Sequence, residues 1–440
     1  MGTYTTTQEA MGLDWIHSFG FEDDPSLSSS YFMGNHANVG IMDTGLEDIH
    51  DDLSPNFLGR FPNVPSTASP ARSHGSHVAG IVAGAGAVQV YGVAPLAKLQ
   101  DYPVIGINFN TNQEKFENIR DSFFHARTNN IHVLNLSFVI FQDETLGLGG
   151  LMQQIRDEII ACHYYGVIIC VAAGNDQSEA DVFYNGGSFG AMDIATAFDV
   201  HDYVLMTASL DDMAAVPPII DNPLDNVEAG ARRADGVWPP AGPAQSGGSN
   251  FGYTRMVRNG VIAPGTQITS TVPENAYDTM DGTSMASPFL AGVAAMIVGF
   301  FKEAGIGYGA KMVFDIVKGC VFHLPYNTSA KTDGDNGLYT DGYIEESIYI
   351  KGWNKEVGYG CINFELLSRV LMAYRTKHLL GQLNVWNHLP ITQTPPLQRE
   401  ELPLALDGFD TLSVTPGWPD VGPPPFETPA TDPLFLNVGD

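Results

Sequence analysis

Basic side chains are scarce in this chain. Its 21 Lys and Arg stand against 50 Asp and Glu, a formal net charge of −29 over 440 residues. Such a surface repels a polyanion, so the sequence predicts neither nucleic acid nor an anionic membrane face as a partner. Cysteine is rarer still. Cys162, Cys170, Cys320 and Cys361 form no CxxC pair, which argues against zinc. Cys162 and Cys170 lie in apolar segments and read as small buried hydrophobes, while Cys320 with Cys361 is a conceivable disulfide. No apolar run free of turn formers reaches about 18 residues, and the best stretch, 289–301, is short, so no membrane span is expected. The opening residues, MGTYTTTQEAMGLDW, have neither the basic head nor the apolar core of a signal peptide. The chain is therefore expected inside the cell, exported by another route, or numbered from a processed end.

What is present is a globular, loop-rich composition, with 44% hydrophobic residues and 47 glycines. A short helix is expected over 8–19. The run ANVGIMDTG (37–45) reads as a buried strand ending at Asp43-Thr44-Gly45. SHGSHVAGIVAGAGA (73–87) opens a helix of small residues at His74 and His77, and GVAPLAKLQDYPVI (92–105) leads from a turn into a strand. Helices are expected over 113–129 and 148–165, and a strand over 131–141. GVIICVAAGN (166–175) is nearly all apolar, as a strand covered on both faces should be. This alternation predicts an α/β fold with a doubly wound, mostly parallel sheet and helices on both faces. Residues 176–250 break the rhythm and, with their Pro, Asp and Gly, read as a long surface insertion. A second loop insertion is expected over 325–352. The organisation predicted is one domain over 1–375 and a Pro-rich, acidic tail over 376–440.

The segment DGTSMASPFLAGVAAMIVGFF (281–301) runs from small residues straight into an apolar helix. A helix N-terminus offers unpaired N–H groups and positive potential, so Ser284 is well placed for attack chemistry. Pro288 reads as tolerable in a first turn whose N–H groups are unpaired anyway. Asp43, His74, Asn175 and Ser284 share one setting, a strand end or helix start beside glycine. Their types suit acyl transfer: a hydroxyl, an imidazole base, a carboxylate to orient it, and an amide to meet an oxyanion.

In chain order, VGIMDTGLEDIHDDL, HGSHVAG, VLNLS, VAAGN, VIAPG and GTSMASP resemble the subtilisin-like serine endopeptidases, the subtilase or S8 peptidase family. The order Asp, His, Ser is that given for subtilisin. The resemblance implies the subtilisin-like α/β fold and a peptide or protein substrate. It implies Ser284 as nucleophile, His74 as general base and acid, Asp43 as its orienting carboxylate, and Asn175 with the Ser284 N–H as the oxyanion site. It implies that peptide adds as a strand along NLSFVI, with Asn135, Leu136 and Ser137 at that edge and Ala172, Ala173 and Gly174 walling the pocket before the cut. Phe138, Val139 and Ile140 stand where relatives have glycines, and their bulk would narrow outer subsites or face the core. His50, Asp52 and His77 read as structural. No cofactor is needed for the chemistry. A structural calcium has weak candidates in Asp52, which matches a ligand position of some relatives, and in Asp333 and Asp335 of DGDNG, while GAGAVQVYG (84–92) lacks the asparagine of the usual calcium loop. The same acyl-enzyme captured by an amine would make a transpeptidase or cyclase. A binding module that keeps only the groove is the non-enzymatic alternative.

Overall fold

The computed structural model describes residues 13–18, 29–62, 72–106, 109, 111–175, 191–210, 259–322 and 358–379. A short helix, α1 (Leu13–Ser18), precedes the first strand, β1 (Asn38–Asp43). Strand β2 (Phe57–Arg60) leads to α2 (Ser73–Ala83), and β3 (Lys98–Pro103) to α3 (Asn112–Thr128). Then come β4 (Val133–Leu136), β5 (Ile140–Phe141), α4 (Gly149–Tyr164) and β6 (Ile168–Ala172). They are followed by β7 (Ala191–Met192), α5 (Ile194–Phe198), β8 (Leu205–Leu210) and β9 (Gly260–Pro264). A hairpin of β10 (Ile268–Val272) and β11 (Ala276–Met280) delivers the chain to α6 (Thr283–Glu303). The described residues close with α7 (Ala310–Gly319), β12 (Val321–Phe322), β13 (Cys361–Ile362) and α8 (Phe364–Leu379).

The main sheet has nine strands in the order β12-β13-β9-β8-β6-β4-β1-β3-β2, parallel except for the β12–β13 pair. Strands β1, β4, β6 and β9 are buried along nearly their whole length, which is why their sequences are apolar without alternation. Helix α6 lies over β4, β6, β8 and β9 and packs on α2, while α3 and α4 pack together and α4 reaches β6. In α6 every residue except Ser284, Lys302 and Glu303 is buried. At 21 residues it is long and apolar enough to cross a membrane, which the shorter span 289–301 did not suggest. It is covered instead by this protein's own sheet.

The stretch read as an insertion over 176–250 needs correction. Its middle supplies β8, paired with β6 on one side and β9 on the other. The run VLMTASL is apolar enough for an interior strand, but its neighbours rich in Asp, Gly and Pro mask it. Residues 176–190 and 211–250, the 325–352 segment and residues beyond 379 lie outside the described residues, as do Asp333 and Asp335. Helix α8 carries regular structure past 375. The conceivable disulfide is also corrected, since Cys320 and Cys361 are both free thiols. Phe322 faces Cys361 in the ladder, so the two cysteines are diagonal rather than directly opposed. That spacing is roughly 7–8 Å, too long for the bond.

Candidate active site

Order in the sheet reverses between β1 and β4. After β1 the chain goes to the edge strand β2, comes back to β3 beside β1, then crosses to β4, β6, β8 and β9 on the other side. In open parallel sheets the crevice beyond the strand ends at such a point is where ligands collect. Asp43 is the last residue of β1, Ser137 follows β4, and Asn175 comes three residues after β6. His74 and Ser284 are each the second residue of their helices, α2 and α6, which pack on one another.

Asp43 is wholly buried, and its Oδ1 accepts the main-chain N–H of Thr44 at 2.7 Å. The same oxygen lies 2.8 Å from His74 Nδ1. Because an ionised carboxylate only accepts, Nδ1 carries the proton and Nε2 is left as the basic atom. Burial lowers the His74 pKa, but the charge of Asp43 and its hydrogen bond together outweigh it, and the net direction is upward from 6.5. The Thr44 hydroxyl accepts the Gly75 N–H at 3.0 Å, tying the start of α2 to the end of β1. Gly75 is required there, since a Cβ would stand 2.3 Å from the Gly45 carbonyl oxygen.

On the other side, Asn175 Oδ1 accepts both the N–H and the hydroxyl of Thr283, each at 2.9 Å. The Thr283 hydroxyl oxygen in turn accepts the Gly174 N–H at 3.1 Å. With its oxygen engaged, the Asn175 amide presents Nδ2 as a donor beside Gly282. A Cβ on Gly282 would come within 3.5 Å of that nitrogen, and φ of 154° with ψ of 157° is a conformation essentially reserved for glycine. Ser284 is half-buried, the one opening to solvent in the first nineteen residues of α6. Its hydroxyl donates to the Ser137 carbonyl at 3.2 Å, so its resting direction is toward β4 rather than toward the imidazole.

Of the expected substrate edge, 135–140, the first two residues lie in β4, an interior strand paired with β1 and β6, while 137–139 run on beyond the end of that ladder. The side chains of Asn135, Leu136 and Ser137 are buried, and Phe138 and Ile140 are buried as well. The bulk at 138 and 140 thus faces the core, and Ile140 pairs with Met192 in the small β5–β7 sheet. Ala172, Ala173 and Gly174 stand at the carboxyl end of β6, with the two alanine side chains almost fully covered.

Among the described residues no cluster of three metal-ligating side chains occurs. Asp52 does not fit the calcium role. Its Oδ1 accepts the Val88 N–H at 2.7 Å, and its Oδ2 accepts the N–H groups of Gln89 and Val90 at 3.0 and 2.9 Å. The Tyr277 hydroxyl donates to Oδ2 at 2.7 Å. Three donors converge on Oδ2 and one on Oδ1, so N–H and O–H protons stand where a cation would sit against this carboxylate. Burial opposes ionisation of Asp52, but these hydrogen bonds prevail and set its pKa below 3.8. His50 is structural in the same cluster, accepting the Asp52 N–H at Nδ1 and donating from Nε2 to the Ala276 carbonyl. His77 donates from Nε2 to the carbonyls of Ile268 and Asp278, and burial, against those bonds, holds its pKa down to about 4.

Sequence reasoning missed Thr283, Ser287 and Tyr277. Thr283 and Ser287 stand inside GTSMASP and were visible as polar residues on a buried helix, whereas nothing local marks Tyr277. It also misjudged Pro288, which is the sixth residue of α6 and not in its first turn.

The sequence profile of the subtilase family matches residues 34–318. Subtilisin E of Bacillus subtilis (strain 168) is 29% identical over 283 residues, covering 62% of this chain and 58% of its own. The subtilisin of Bacillus pumilus is 29% identical over the same length, covering 81% of its own chain. The chain thus spans about 58% of the length of the Bacillus subtilis relative. Among solved structures, the prenylagaramide maturation protease PagA is similar with a TM-score of 0.52 and 19% identity, covering 82% of this chain and 98% of its own. The patellamide maturation protease PatA has a TM-score of 0.51 and 19% identity, covering 77% and 97%. These two show a shared fold. With the family profile spanning well over half of the sequence and the motifs in order, the chain belongs to the subtilase family.

Proposed function

We propose that the protein is a serine endopeptidase that cleaves peptide bonds through an acyl-enzyme on Ser284. The observation that carries this reading is the Asp43–His74 hydrogen bond, set at the same sheet edge as Ser284 and the Asn175 amide. The Ser284 hydroxyl turns from the Ser137 carbonyl to His74 Nε2, which takes its proton as Oγ bonds to the scissile carbonyl carbon. Asp43 keeps the proton on Nδ1 and stabilises the imidazolium. The oxyanion is met by Asn175 Nδ2 and the Ser284 N–H at the positive end of α6. The imidazolium then protonates the departing amine, and water repeats the sequence to release the acid.

A fluorophosphonate probe should label Ser284 alone, and Ser284→Ala should abolish both labelling and cleavage of a peptide library. A Ser284→Ala protein that still cleaves peptide sinks the reading. Product masses from the same library show whether water or an amine takes up the acyl group.

A further inference from the structure

Helix α6 has a defect one turn beyond the reactive serine. In an α-helix the carbonyl of residue 284 accepts the N–H of residue 288, but residue 288 is proline and has none. The Pro ring also crowds the carbonyl four residues back and tilts it off the helix axis. The Ser137 hydroxyl lies 3.1 Å from that carbonyl oxygen and donates to it. It fills the place of the missing helical donor from outside the helix.

The hydroxyl is not free to do otherwise. Asn135 Nδ2 donates to Ser137 Oγ at 2.9 Å, which uses its accepting side and leaves its proton for Ser284. Asn135 Oδ1 accepts the Ser287 hydroxyl at 2.8 Å, which fixes which way round the amide sits. Asn135, Ser137 and Ser287 are all buried, so these bonds face no competition from solvent. The chain of donors runs from Ser287 on α6, across β4, and back to α6 at Ser284. At its far end the Ser137 main-chain carbonyl receives the Ser284 hydroxyl. Ser137 therefore grips the reactive residue twice, at its carbonyl and at its Oγ.

We propose that Ser137 is a positioning residue for the nucleophile, with its hydroxyl replacing the donor that Pro288 removes and with Asn135 and Ser287 locking its direction. This rests on the endopeptidase reading and deepens it, because the displacement that matters is that of Ser284 relative to His74 and Asn175. Small errors of placement at a reacting atom lower turnover more than binding.

The test uses the full chain with a chromogenic peptide and the fluorophosphonate probe. Ser137→Ala is expected to lower kcat about tenfold, with KM changed less than about threefold and the labelling rate falling in step with kcat. Ser137→Thr, which keeps the hydroxyl, should recover most of the loss, and Ser287→Ala should lose about threefold. In a Pro288→Ala background residue 288 regains its N–H, so Ser137→Ala should then cost under about threefold. The proposal is overturned if Ser137→Ala stays within about twofold of the parent, or if its loss is the same in both backgrounds. If Ser137→Ala fails to fold, the Ser287→Ala result decides in the same way. A parent that labels while Ser137→Ala labels equally fast removes this proposal and leaves the endopeptidase reading standing. A parent that neither labels at Ser284 nor cleaves removes both.

Discussion

Helices α2 and α6 present His74 and Ser284 at the same sheet edge, yet they are anchored by different physics. α2 is stitched to the β10–β11 hairpin by directional polar bonds. His77 donates to Ile268 and Asp278, Ser270 donates to the His77 carbonyl at 2.7 Å, and Thr271 to the Ser76 carbonyl at 2.7 Å. The two elements approach so closely that a Cβ at Gly80 would lie 2.3 Å from Ser270 Oγ. α6 is held by apolar volume. Phe300 packs on Tyr31 and Phe32, and Phe301 on Tyr308 and Tyr374. Its polar links lie at its two ends: near the start Thr283, Ser284 and Ser287 meet Asn175, Ser137 and Asn135, and at the far end Lys302 and Glu303 meet His132 and Asn35. Polar stitching fixes direction to fractions of an ångström and fails when one atom is removed, whereas apolar packing supplies bulk stability and fails when volume is lost. The helix of His74 is thus held by the first means, and the helix of Ser284 by the second with polar ends.

The difference can be broken at either helix. The largest expected effect is on chemistry: Asp43→Asn should leave the fold intact and cut kcat about 10⁴-fold, read by steady-state kinetics beside a thermal melt. Next is a volume effect on α6. Phe301→Ala should cost about 3–5 kcal/mol by denaturant titration, far more than any single polar deletion on α2. His77→Leu should then cost about 1–3 kcal/mol, because two buried carbonyls lose a donor. A loss at His77 exceeding that at Phe301 would reverse the assignment of anchors. Smaller again, Tyr277→Phe removes one donor from Asp52 and should cost about 1 kcal/mol. The cost should be the same with and without a chelator, since the Asp52 carboxylate is filled by N–H and O–H donors.

The gentlest test is acidification. His77 is held near 4 against an ordinary 6.5, as are His17 and His163. Between those values the unfolded chain binds more protons, so stability rises with pH there and is lost as pH falls from about 6.5 toward 4. Asp101, which burial pushes up to about 6 against the pull of Arg60, works the other way between 3.8 and 6. His74, raised above 6.5 by Asp43, contributes stability below its ordinary value that is lost as pH rises through the raised one. Activity by the proposed reaction runs oppositely: it uses the neutral imidazole as base, so kcat/KM should climb with pH through a midpoint above 6.5. Asp43→Asn should move that midpoint down.

Much of the fold was legible because its strands are covered on both faces, and IICVA or NVGIM can hardly be anything but interior strand. β8 was not legible, because its apolar run is short and the surrounding Pro and Gly outweigh it in any local window. The site was legible where a motif is contiguous. HGSHVAG and GTSMASP carry their glycines, helix starts and His74 or Ser284 within a few positions. The polar partners were not, since His77 meets Asp278 and Asp52 meets Tyr277 across more than 200 residues.

The sequence by itself determined the sheet's parallel character, the family, and the types of group gathered for acyl transfer, because these depend on residue chemistry and local spacing. Only the tertiary structure decided which way each polar side chain faces. It turned Asn135 and Ser137 inward, closed Asp52 with donors, and set a strand-end hydroxyl against the carbonyl that Pro288 leaves without a helical partner. Hydrogen bonds between distant segments depend on atomic direction, and direction exists only once the sheet has brought its strand ends together.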